Sequence, residues 1–399
     1  MSVSKSELKI GIVGAGGFAE FAAKTFLKVP GVRIVAIADI NYSAADKLAK
    51  ELSAKSYADY ELLLTDSNVS LVYIATPPFL HYSQSKAALM AGKHVICEKP
   101  AAIKTSEAEE LVALAQRTKL LYVVNLMQRY NPLSSVVKSI VNEKILGEFL
   151  HGFFENYASD EKLNQEHWFW DEGKSGGIFI EHGVHFFDLF SGWLGKGEVI
   201  HAGQWQRPGV KNKIIDRVQA TVNYSKGPVT FYHGFDQPKV LDRQEMRLQF
   251  ERGDISLFEW VPVKIRLHGL LKNEPLEKLR HYLPGCTITE HSRQDSGSDY
   301  SCAILENSKS QKENQKVRGR FKDVVFDHLV SLEYGNIADK QDRYEELLIS
   351  MIKDQWSWIL DNSFVRVIDD SNAVESLRMA EIATKTANHF KLEGDSSKK

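Results

Sequence analysis

Two short segments contain residues suited to proton transfer and to the stabilisation of negative charge. Residues 94–100 read His-Val-Ile-Cys-Glu-Lys-Pro, an apolar strand that ends in a charged pair. Pro100 disfavours a helix at the residue before it, so Lys99 is held extended at the strand end, where its ammonium can face a ligand. In the second segment Glu181 and His185 are four residues apart and share one helix face. A lysine can stabilise an alkoxide and a histidine can take its proton, which is the chemistry of hydroxyl oxidation.

Such an oxidation needs a hydride acceptor, and a glycine-rich turn earlier in the chain is typical of dinucleotide sites. The turn fits the pattern GxGxxA, follows an apolar strand and opens a helical pattern. Its residues are Gly14, Ala15, Gly16, Gly17, Phe18 and Ala19. The first glycine permits the tight turn, the second lets the backbone approach a pyrophosphate, and the helix N-terminus favours an anion. The pattern predicts a bound dinucleotide; the alternative is a glycine turn in a parallel sheet without a ligand.

Asp39 ends the next apolar strand, 20 residues after Ala19. A carboxylate at this place can accept hydrogen bonds from both hydroxyls of the adenosine ribose and repels a 2′-phosphate. The residues that follow are Ile40, Asn41 and Tyr42, so no arginine directly after Asp39 could bind such a phosphate. We therefore expect NAD as the cofactor, in preference to NADP.

Nine further positions, together with Lys99, are candidates for contact with ligands. Those predicted to contact the cofactor are Thr76, Pro77, His81, Glu98 and Lys99. Those predicted to contact the substrate are Arg129, Tyr130, Trp168, Asp171 and His182.

Several of these candidates also have a purely structural interpretation. The residues after the third strand could simply begin a helix. Arg129 could pair with a carboxylate, and Trp168 suits core packing at least as well as sugar binding. His182 lies on another face of its predicted helix, which gives it a supporting role. Asp188 could hold the second imidazole nitrogen of His185.

The composition is that of a globular protein and excludes several classes of partner. The chain has 399 residues, of which 43% are hydrophobic, and a net charge of −2. This balance argues against a protein that binds nucleic acid or a membrane surface. We find no signal peptide, no run that could span a bilayer, and neither a disulfide framework nor a zinc pattern in the three cysteines. We expect a cytoplasmic protein without a metal site.

Strand and helix patterns alternate through residues 1–125, and the predicted strands are apolar on both faces. This pattern predicts an α/β fold, in which an NAD-binding Rossmann domain has a doubly wound parallel sheet. Residues 126–392 instead show strands with alternating polar and apolar side chains, joined by short turns. They predict an α+β domain with a largely antiparallel open sheet, which would bind substrate and form oligomer contacts.

Five segments in the second half of the chain have their own structural predictions. Helices at 344–360 and 373–390 are expected to pack on the apolar face of the open sheet. Stretches near 291–301 and 306–320 are polar and are predicted to be mobile surface insertions, and 393–399 a flexible tail.

Four stretches, taken in order, make the chain resemble the Gfo/Idh/MocA oxidoreductases, the group of glucose–fructose oxidoreductase and inositol dehydrogenase. They are the glycine-rich turn with Asp39, residues 75–78 with His81, the Glu-Lys-Pro triplet 98–100, and residues 176–185 running on to Asp188. The resemblance extends over residues 8–260, and the final helices are compatible with it.

The resemblance implies a Rossmann domain followed by a largely antiparallel sheet, with substrate bound between them. It implies an NAD(P)-dependent dehydrogenase acting on a secondary hydroxyl or ketone of a sugar, a polyol or a related carbohydrate. The implied catalytic set is Lys99, His185 and Glu181, although the family commonly has aspartate at the position of Glu181. A homo-oligomer, either a dimer or a tetramer, formed through the exposed sheet face is also implied.

Two other functions stay open at this point. An NAD-dependent glycosidase would oxidise its substrate only transiently and would regenerate its own cofactor. A dinucleotide-sensing regulator would bind the cofactor without catalysis, although the presence of both Lys99 and His185 argues against it.

Overall fold

In a computed structural model the chain is described over residues 7–160, 162–210, 213–291, 314–319, 322–336 and 340–391. Six parallel strands form the first sheet. They are β1 (Leu8–Val13), β2 (Val32–Ala38), β3 (Lys55–Tyr57), β4 (Leu71–Ile74), β5 (His94–Cys97) and β6 (Tyr122–Val124). The helices between them are α1 (Gly17–Phe26), α2 (Tyr42–Leu52), α3 (Tyr60–Leu64), α4 (Pro78–Met90) and α5 (Thr105–Thr118).

The strand order of this sheet is β3-β2-β1-β4-β5-β6, and every pairing is parallel. The predicted doubly wound parallel sheet is therefore confirmed. The order reverses between β1 and β4, and the loops beyond their carboxyl ends part to leave a crevice in which such sheets bind ligands. The glycine-rich turn follows β1 and Lys99 follows β5, so both lie at this edge. The sequence did not predict β3, a three-residue edge strand without fully buried side chains.

The second half of the chain contains the remaining strands. They are β7 (Phe149–Tyr157), β8 (Gly197–Gln206), β9 (Ile215–Tyr224), β10 (Gly227–Gly234), β11 (Arg243–Phe250), β12 (Gly253–Phe258), β13 (Lys264–Leu271), β14 (Thr287–Glu290), β15 (Gln315–Arg318), β16 (Asp323–Phe326), β17 (His328–Gly335) and β18 (Asn388–Lys391). Ten of them form one sheet in the order β14-β17-β13-β12-β11-β7-β10-β9-β8-β18. The sheet is largely antiparallel, as predicted, with parallel pairs at β7–β10 and β8–β18.

Helices α6 (Pro132–Asn142), α7 (Glu172–Ser175), α8 (Val184–Leu194), α9 (Asn273–Tyr282), α10 (Lys340–Leu360) and α11 (Asp370–Thr386) complete the described fold, with short turns of 3-10 helix at Met127–Tyr130, Trp168–Trp170 and Lys239–Leu241. Helix α8 packs its aromatic residues on the apolar face of the large sheet. The rings of Phe154 and Phe186 stack at 3.6 Å, and Phe187 meets Phe231 edge to face at 4.9 Å. This packing fixes α8 beside the crevice.

Two predictions of secondary structure in the second half were wrong in part. Residues 315–318 lie in the predicted insertion 306–320 but form β15, which pairs with β16 although its polar composition is typical of a loop. The predicted helix 373–390 ends at Thr386, because residues 388–391 leave the helix and pair with β8 as an edge strand. The structure does not describe 292–313, 320 or 392–399, so the rest of these insertions and the tail lie outside the described residues.

Helix α10 also packs differently from the prediction. It lies against α1 of the parallel sheet, where the rings of Phe21 and Tyr344 stack at 5.3 Å. The apolar face of α10 therefore joins the two halves of the molecule at the crevice instead of covering the open sheet. No helix in the described ranges has the length and apolar character needed to cross a lipid bilayer.

Candidate active site

A cleft of about 710 Å³ lies between the carboxyl edge of the parallel sheet and the N-terminal end of α8. Of the residues predicted from sequence, it is lined by Gly16, Gly17, Phe18, Ala19, Thr76, Pro77, Glu98, Lys99, Trp168, Glu181, His182 and His185. The structure therefore brings together the glycine-rich turn, the lysine and the α8 residues, which are distant in sequence.

The glycine-rich turn forms an open cradle at one end of the cleft. Gly14 has a φ of 102°, and a Cβ at this position would lie 2.6 Å from the Ala75 carbonyl oxygen, so only glycine fits. Among the residues that the structure describes, a Cβ on Gly16 or Gly17 would meet no atom within 4 Å. No side chain from this described part of the chain caps the N-terminus of α1, so its first backbone N–H groups are directed to this space. An open cradle with free donors fits the pyrophosphate of a dinucleotide.

Asp39 lies beside the cradle and holds it in place. Its Oδ2 accepts a hydrogen bond from the Ala15 backbone N–H at 2.7 Å, and its Oδ1 accepts one from the Asn41 N–H at 2.7 Å. The sequence predicted only a contact with the ribose. The carboxylate also positions the glycine-rich turn, and each oxygen keeps a lone pair for a ribose hydroxyl.

Lys99 and Glu181 meet across the cleft from the two halves of the molecule. The Lys99 ammonium donates to Glu181 Oε1 at 2.5 Å and to the Glu181 backbone oxygen at 2.7 Å. The two side chains are only 19% and 12% exposed, so water screens this pair weakly. Two of the three ammonium protons are thereby occupied within the described structure, and the third is left for a ligand.

Glu98, the residue before the lysine, lies half-buried in the wall of the cleft. It accepts hydrogen bonds from the Tyr73 hydroxyl and from Asn125 Nδ2, the latter at 2.8 Å. Burial raises the pKa of Glu98, while these hydrogen bonds and the neighbouring Lys99 act against this rise. The contacts anchor the end of β5 and so fix the direction of Lys99.

A π-helical turn at Phe179–Gly183 leads into α8 and places its polar side chains. The wider turn brings Glu181, His182 and His185 to the same cleft, whereas a regular helix predicts His182 on another face. Single π-turns of this kind are frequent at functional sites.

His185 is the histidine best placed to exchange a proton with a bound hydroxyl. Its Nδ1 is buried and has no hydrogen-bond partner in the described ranges, so the opposite nitrogen, Nε2, is left to face the cleft. Burial and then the Lys99 charge lower the pKa of His185 well below the ordinary value. The ring is therefore neutral near pH 7 and can accept a proton.

Gly14 belongs to the glycine-rich turn without lining the cleft itself, and five other predicted positions lie apart from the cleft. His81 is buried, with its ring nitrogens 2.6 Å and 2.7 Å from the carbonyl oxygens of Pro100 and Thr76, so it braces two loops behind the site. Asp39 lies beside the cradle rather than on the cleft wall. The other three are Arg129, Tyr130 and Asp171.

Those three side chains are engaged in structural contacts. Arg129 donates to Asp188 at 2.7 and 2.8 Å, which corrects the expectation that Asp188 holds the His185 ring. Tyr130 donates to Asp354 at 2.7 Å. The Asp171 carboxylate accepts from the Gly173 N–H at 2.9 Å and caps α7, because a short helix start needs an acceptor.

Sequence reasoning missed the wall of the cleft formed by the second half of the chain. The residues concerned are Asn156, Asp160, His167, Phe235, Asp242, Gln244, Glu259, Trp260, Lys340 and Tyr344. They are spread over nearly 200 residues and belong to no short motif, so only the register of the sheet shows that they meet. Several of these residues lie just beyond the end of a strand, and this position is the one feature of the sequence that could have indicated that they line the cleft.

Four histidines that are shielded from water make the fold less stable in acid; three of them are buried and His182 is half-buried. They are His81, His182, His185 and His233, and burial lowers the pKa of each. In the unfolded chain a histidine has a pKa of about 6.5. Below that pH the unfolded state binds more protons, so stability is present above about pH 6.5 and is lost as the pH falls.

We therefore expect the thermal unfolding midpoint to fall steadily between about pH 6.5 and pH 4.5, before most carboxylates titrate. Calorimetry or circular dichroism over a pH series would measure this. A midpoint that stays constant over that interval would contradict the neutral state of these four rings in the folded protein.

Family models match both halves of the chain. One described as an oxidoreductase family with an NAD-binding Rossmann fold matches residues 8–126, and the GFO/IDH/MocA C-terminal domain matches residues 135–256. The chain belongs to the Gfo/Idh/MocA family of oxidoreductases. The family resemblance drawn from the sequence motifs is thus confirmed.

Individual relatives in this family are similar over part of their length. A D-xylose 1-dehydrogenase (NADP(+)) of Hypocrea jecorina is 36% identical over 150 residues, which cover 34% of this chain and 38% of that protein. A glycosyl hydrolase family 109 protein of Streptomyces niveus is 34% identical over 158 residues, covering 37% of this chain and 32% of that protein. These matches span less than half of each relative.

Solved structures extend the likeness to the whole fold. KijD10, a 3-ketoreductase from Actinomadura kijaniata in complex with NADP and TDP-benzene, superposes with a TM-score of 0.71. The alignment covers 97% of this chain and 100% of KijD10, at 16% sequence identity. At that identity the likeness shows a shared fold. Within the Gfo/Idh/MocA family, then, the fold and the binding of NAD(P) are shared, whereas substrate and cofactor preference depend on this chain's own residues.

Proposed function

We propose that this chain is an NAD-dependent dehydrogenase that oxidises a secondary hydroxyl of a sugar, a polyol or a related carbohydrate, or performs the reverse reduction. The observation that supports it most is the meeting of Lys99, Glu181 and His185 in one cleft with the open glycine cradle. The Gfo/Idh/MocA relatives include named sugar dehydrogenases, which agrees with this substrate class.

In the oxidation direction the substrate hydroxyl lies against the free proton of the Lys99 ammonium. As negative charge develops on the oxygen, the fixed ammonium stabilises it in a site that is shielded from water. Glu181 keeps Lys99 oriented through its side chain and its backbone oxygen. A bound nicotinamide would supply the hydride acceptor.

His185 takes the hydroxyl proton in this mechanism. A substrate hydroxyl that donates to Nε2 selects the neutral tautomer with its hydrogen on Nδ1, so the Nε2 lone pair then faces the reacting oxygen, and the adjacent Lys99 charge favours removal of the proton. In the reduction direction the protonated ring returns the proton to the alkoxide.

Asp39 supports the preference for NAD. We expect Asp39→Ala to weaken NAD binding by roughly 10- to 100-fold, which is the scale of hydrogen bonds to a charged group. The difference in affinity between NAD and NADP should become smaller. Two effects combine, because the variant loses both a ribose acceptor and the brace of the glycine-rich turn. Titration calorimetry with both cofactors measures this, and Asp46→Ala, on α2 with an ion pair to Lys50, is the control. Tighter binding of NADP than of NAD by the wild type would contradict this role of Asp39.

A second candidate function is an NAD-dependent glycosidase, because part of the chain is 34% identical to a glycosyl hydrolase family 109 protein. Here the same oxidation would be transient and would permit elimination of the glycosidic substituent. The two candidates differ in one readout: a dehydrogenase accumulates NADH, whereas such a glycosidase does not.

The proposal is tested with a panel of sugars, inositols and sugar acids in the presence of NAD, followed at the absorbance of NADH. We expect steady NADH formation with at least one polyhydroxylated compound. Binding of NAD without turnover across the panel would favour a cofactor-sensing protein. The cytoplasmic location and a dimer or tetramer formed through the open face of the large sheet stay predictions, the latter open to light scattering.

A further inference from the structure

Behind the cleft, two histidines from different elements face each other. Nδ1 of His182, on the π-helical turn, lies 2.9 Å from Nδ1 of His233, on β10. His233 is fully buried and is surrounded by aromatic rings, with Phe154 at 5.1 Å and Phe186 at 5.8 Å between ring centroids. The distance between the two nitrogens is that of a hydrogen bond, so one ring donates and the other accepts.

The surroundings of His233 decide which ring donates. Its Nε2 is buried and has no hydrogen-bond partner in the described part of the chain. If His182 donated, His233 would carry its proton on Nε2, as an N–H group buried without an acceptor. Buried N–H groups without a partner are rarer in proteins than acceptors without a partner. The more stable arrangement therefore has His233 Nδ1–H donating to His182 Nδ1.

This arrangement fixes the proton of His182. A neutral imidazole that accepts at Nδ1 must carry its hydrogen on Nε2. His182 lines the cleft, and its Nε2 is not among the buried atoms that lack a partner. The ring thus directs a fixed N–H donor into the cleft, three residues before His185.

We propose that His233 is a positioning residue that holds His182 in the Nε2–H tautomer, so that His182 donates a hydrogen bond to a substrate oxygen next to the reacting hydroxyl. The proposal rests on the dehydrogenase function proposed above. It assigns the work in the cleft to three groups: Lys99 holds the reacting oxygen, His185 exchanges its proton, and His182 selects substrates with a neighbouring oxygen. A site that donates to a substrate oxygen discriminates strongly against the deoxy analogue.

The tautomer is read directly by nuclear magnetic resonance on protein labelled with ¹⁵N-histidine, through the pattern of long-range couplings between ring protons and nitrogens. The His182 signals are those that disappear in His182→Asn. His167 is an internal reference, because its Nδ1 accepts from the Phe169 N–H at 3.2 Å. We expect His182 to match His167, with a protonated Nε2. A His182 ring protonated at Nδ1 overturns the proposal, and this measurement needs neither a substrate nor a cofactor.

A matched pair of variants tests the consequence for function. In His233→Asn the amide N–H can still donate to His182 Nδ1, whereas in His233→Asp the carboxylate can only accept and forces the proton onto Nδ1. We expect the Asn variant to keep the tautomer and wild-type kinetics. The Asp variant should lose about tenfold or more in kcat/KM, the scale of one hydrogen bond, with unchanged affinity for NAD. The ratio of kcat/KM for the parent sugar to kcat/KM for the deoxy analogue should fall by the same factor.

The outcomes separate this proposal from the proposed function. If no sugar is turned over, the dehydrogenase function fails while the tautomer measurement still stands. If turnover is found and the Asn and Asp variants are equally impaired, the role of His233 is only structural and the proposal is overturned. Should His233→Asp fail to fold, His233→Leu removes the donor without adding charge, and a tautomer that stays unchanged in it overturns the proposal as well.

Discussion

Replacing Lys99 by alanine is expected to lower kcat for sugar oxidation by about a hundredfold or more, the scale of one lost group that stabilises developing charge. NAD affinity should stay nearly unchanged, because the cradle and Asp39 lie at the other end of the site. Steady-state kinetics with a turned-over sugar, together with calorimetric titration of NAD, would measure both quantities.

The control for this variant is Lys104→Ala. Lys104 is an exposed lysine five residues further along, just before α5 and away from the cleft. It should retain wild-type kcat. Wild-type turnover in Lys99→Ala, or a loss of NAD affinity as large as the loss of kcat, would contradict the role given to Lys99.

Replacing His185 by alanine is expected to have an effect of similar size and a different pH signature. General-base catalysis contributes about 10²- to 10⁴-fold. In the wild type, the acidic limb of kcat/KM for oxidation should lie below about pH 6.5, because burial and the Lys99 charge lower the pKa of this ring. In His185→Ala that limb should disappear. An exposed histidine on β8, His201, gives the control variant His201→Ala, in which the limb should persist.

The double variant shows whether the two residues act on one group. Since Lys99 and His185 are proposed to act on one oxygen and its proton, their effects should combine to less than the product of the single losses. Fully multiplicative losses, or an acidic limb that persists in His185→Ala, would place the proton acceptor elsewhere in the cleft.

Local patterns predicted the parallel sheet well and the second sheet less completely. Strands β1 and β5 are apolar apart from Lys9 and His94 because both faces are largely buried, which sequence shows directly. The partly polar β15 and the terminal strand β18 depend on partners that supply their backbone hydrogen bonds, so their own composition predicted a loop and a helix. Pairing partners distant in sequence decided these elements.

For the site, the motifs predicted which residues approach the cleft but not which contacts each side chain makes. Asp188 follows the stretch 176–185 and Arg129 lies in the turn after β6, and the two bind each other because a buried charge is stable only beside its opposite. Nothing in the sequence around His233 indicates a role at the site, because His233 is one residue of a strand whose side chains alternate between the two faces of the sheet. Its contact with His182 depends on the packing of α8 against the sheet.

The most direct test of the central claim follows the hydrogen atom that is transferred as hydride. A sugar that the protein oxidises is prepared with deuterium on the carbon of the reacting hydroxyl and is incubated with NAD. The masses of both products are then measured by mass spectrometry. Hydride transfer in the cleft predicts one deuterium in each reduced cofactor formed and a ketone without deuterium, with the rate reduced about a hundredfold in Lys99→Ala. Cleavage of a glycoside without net reduced cofactor, or reduced cofactor that contains no deuterium, would contradict the account.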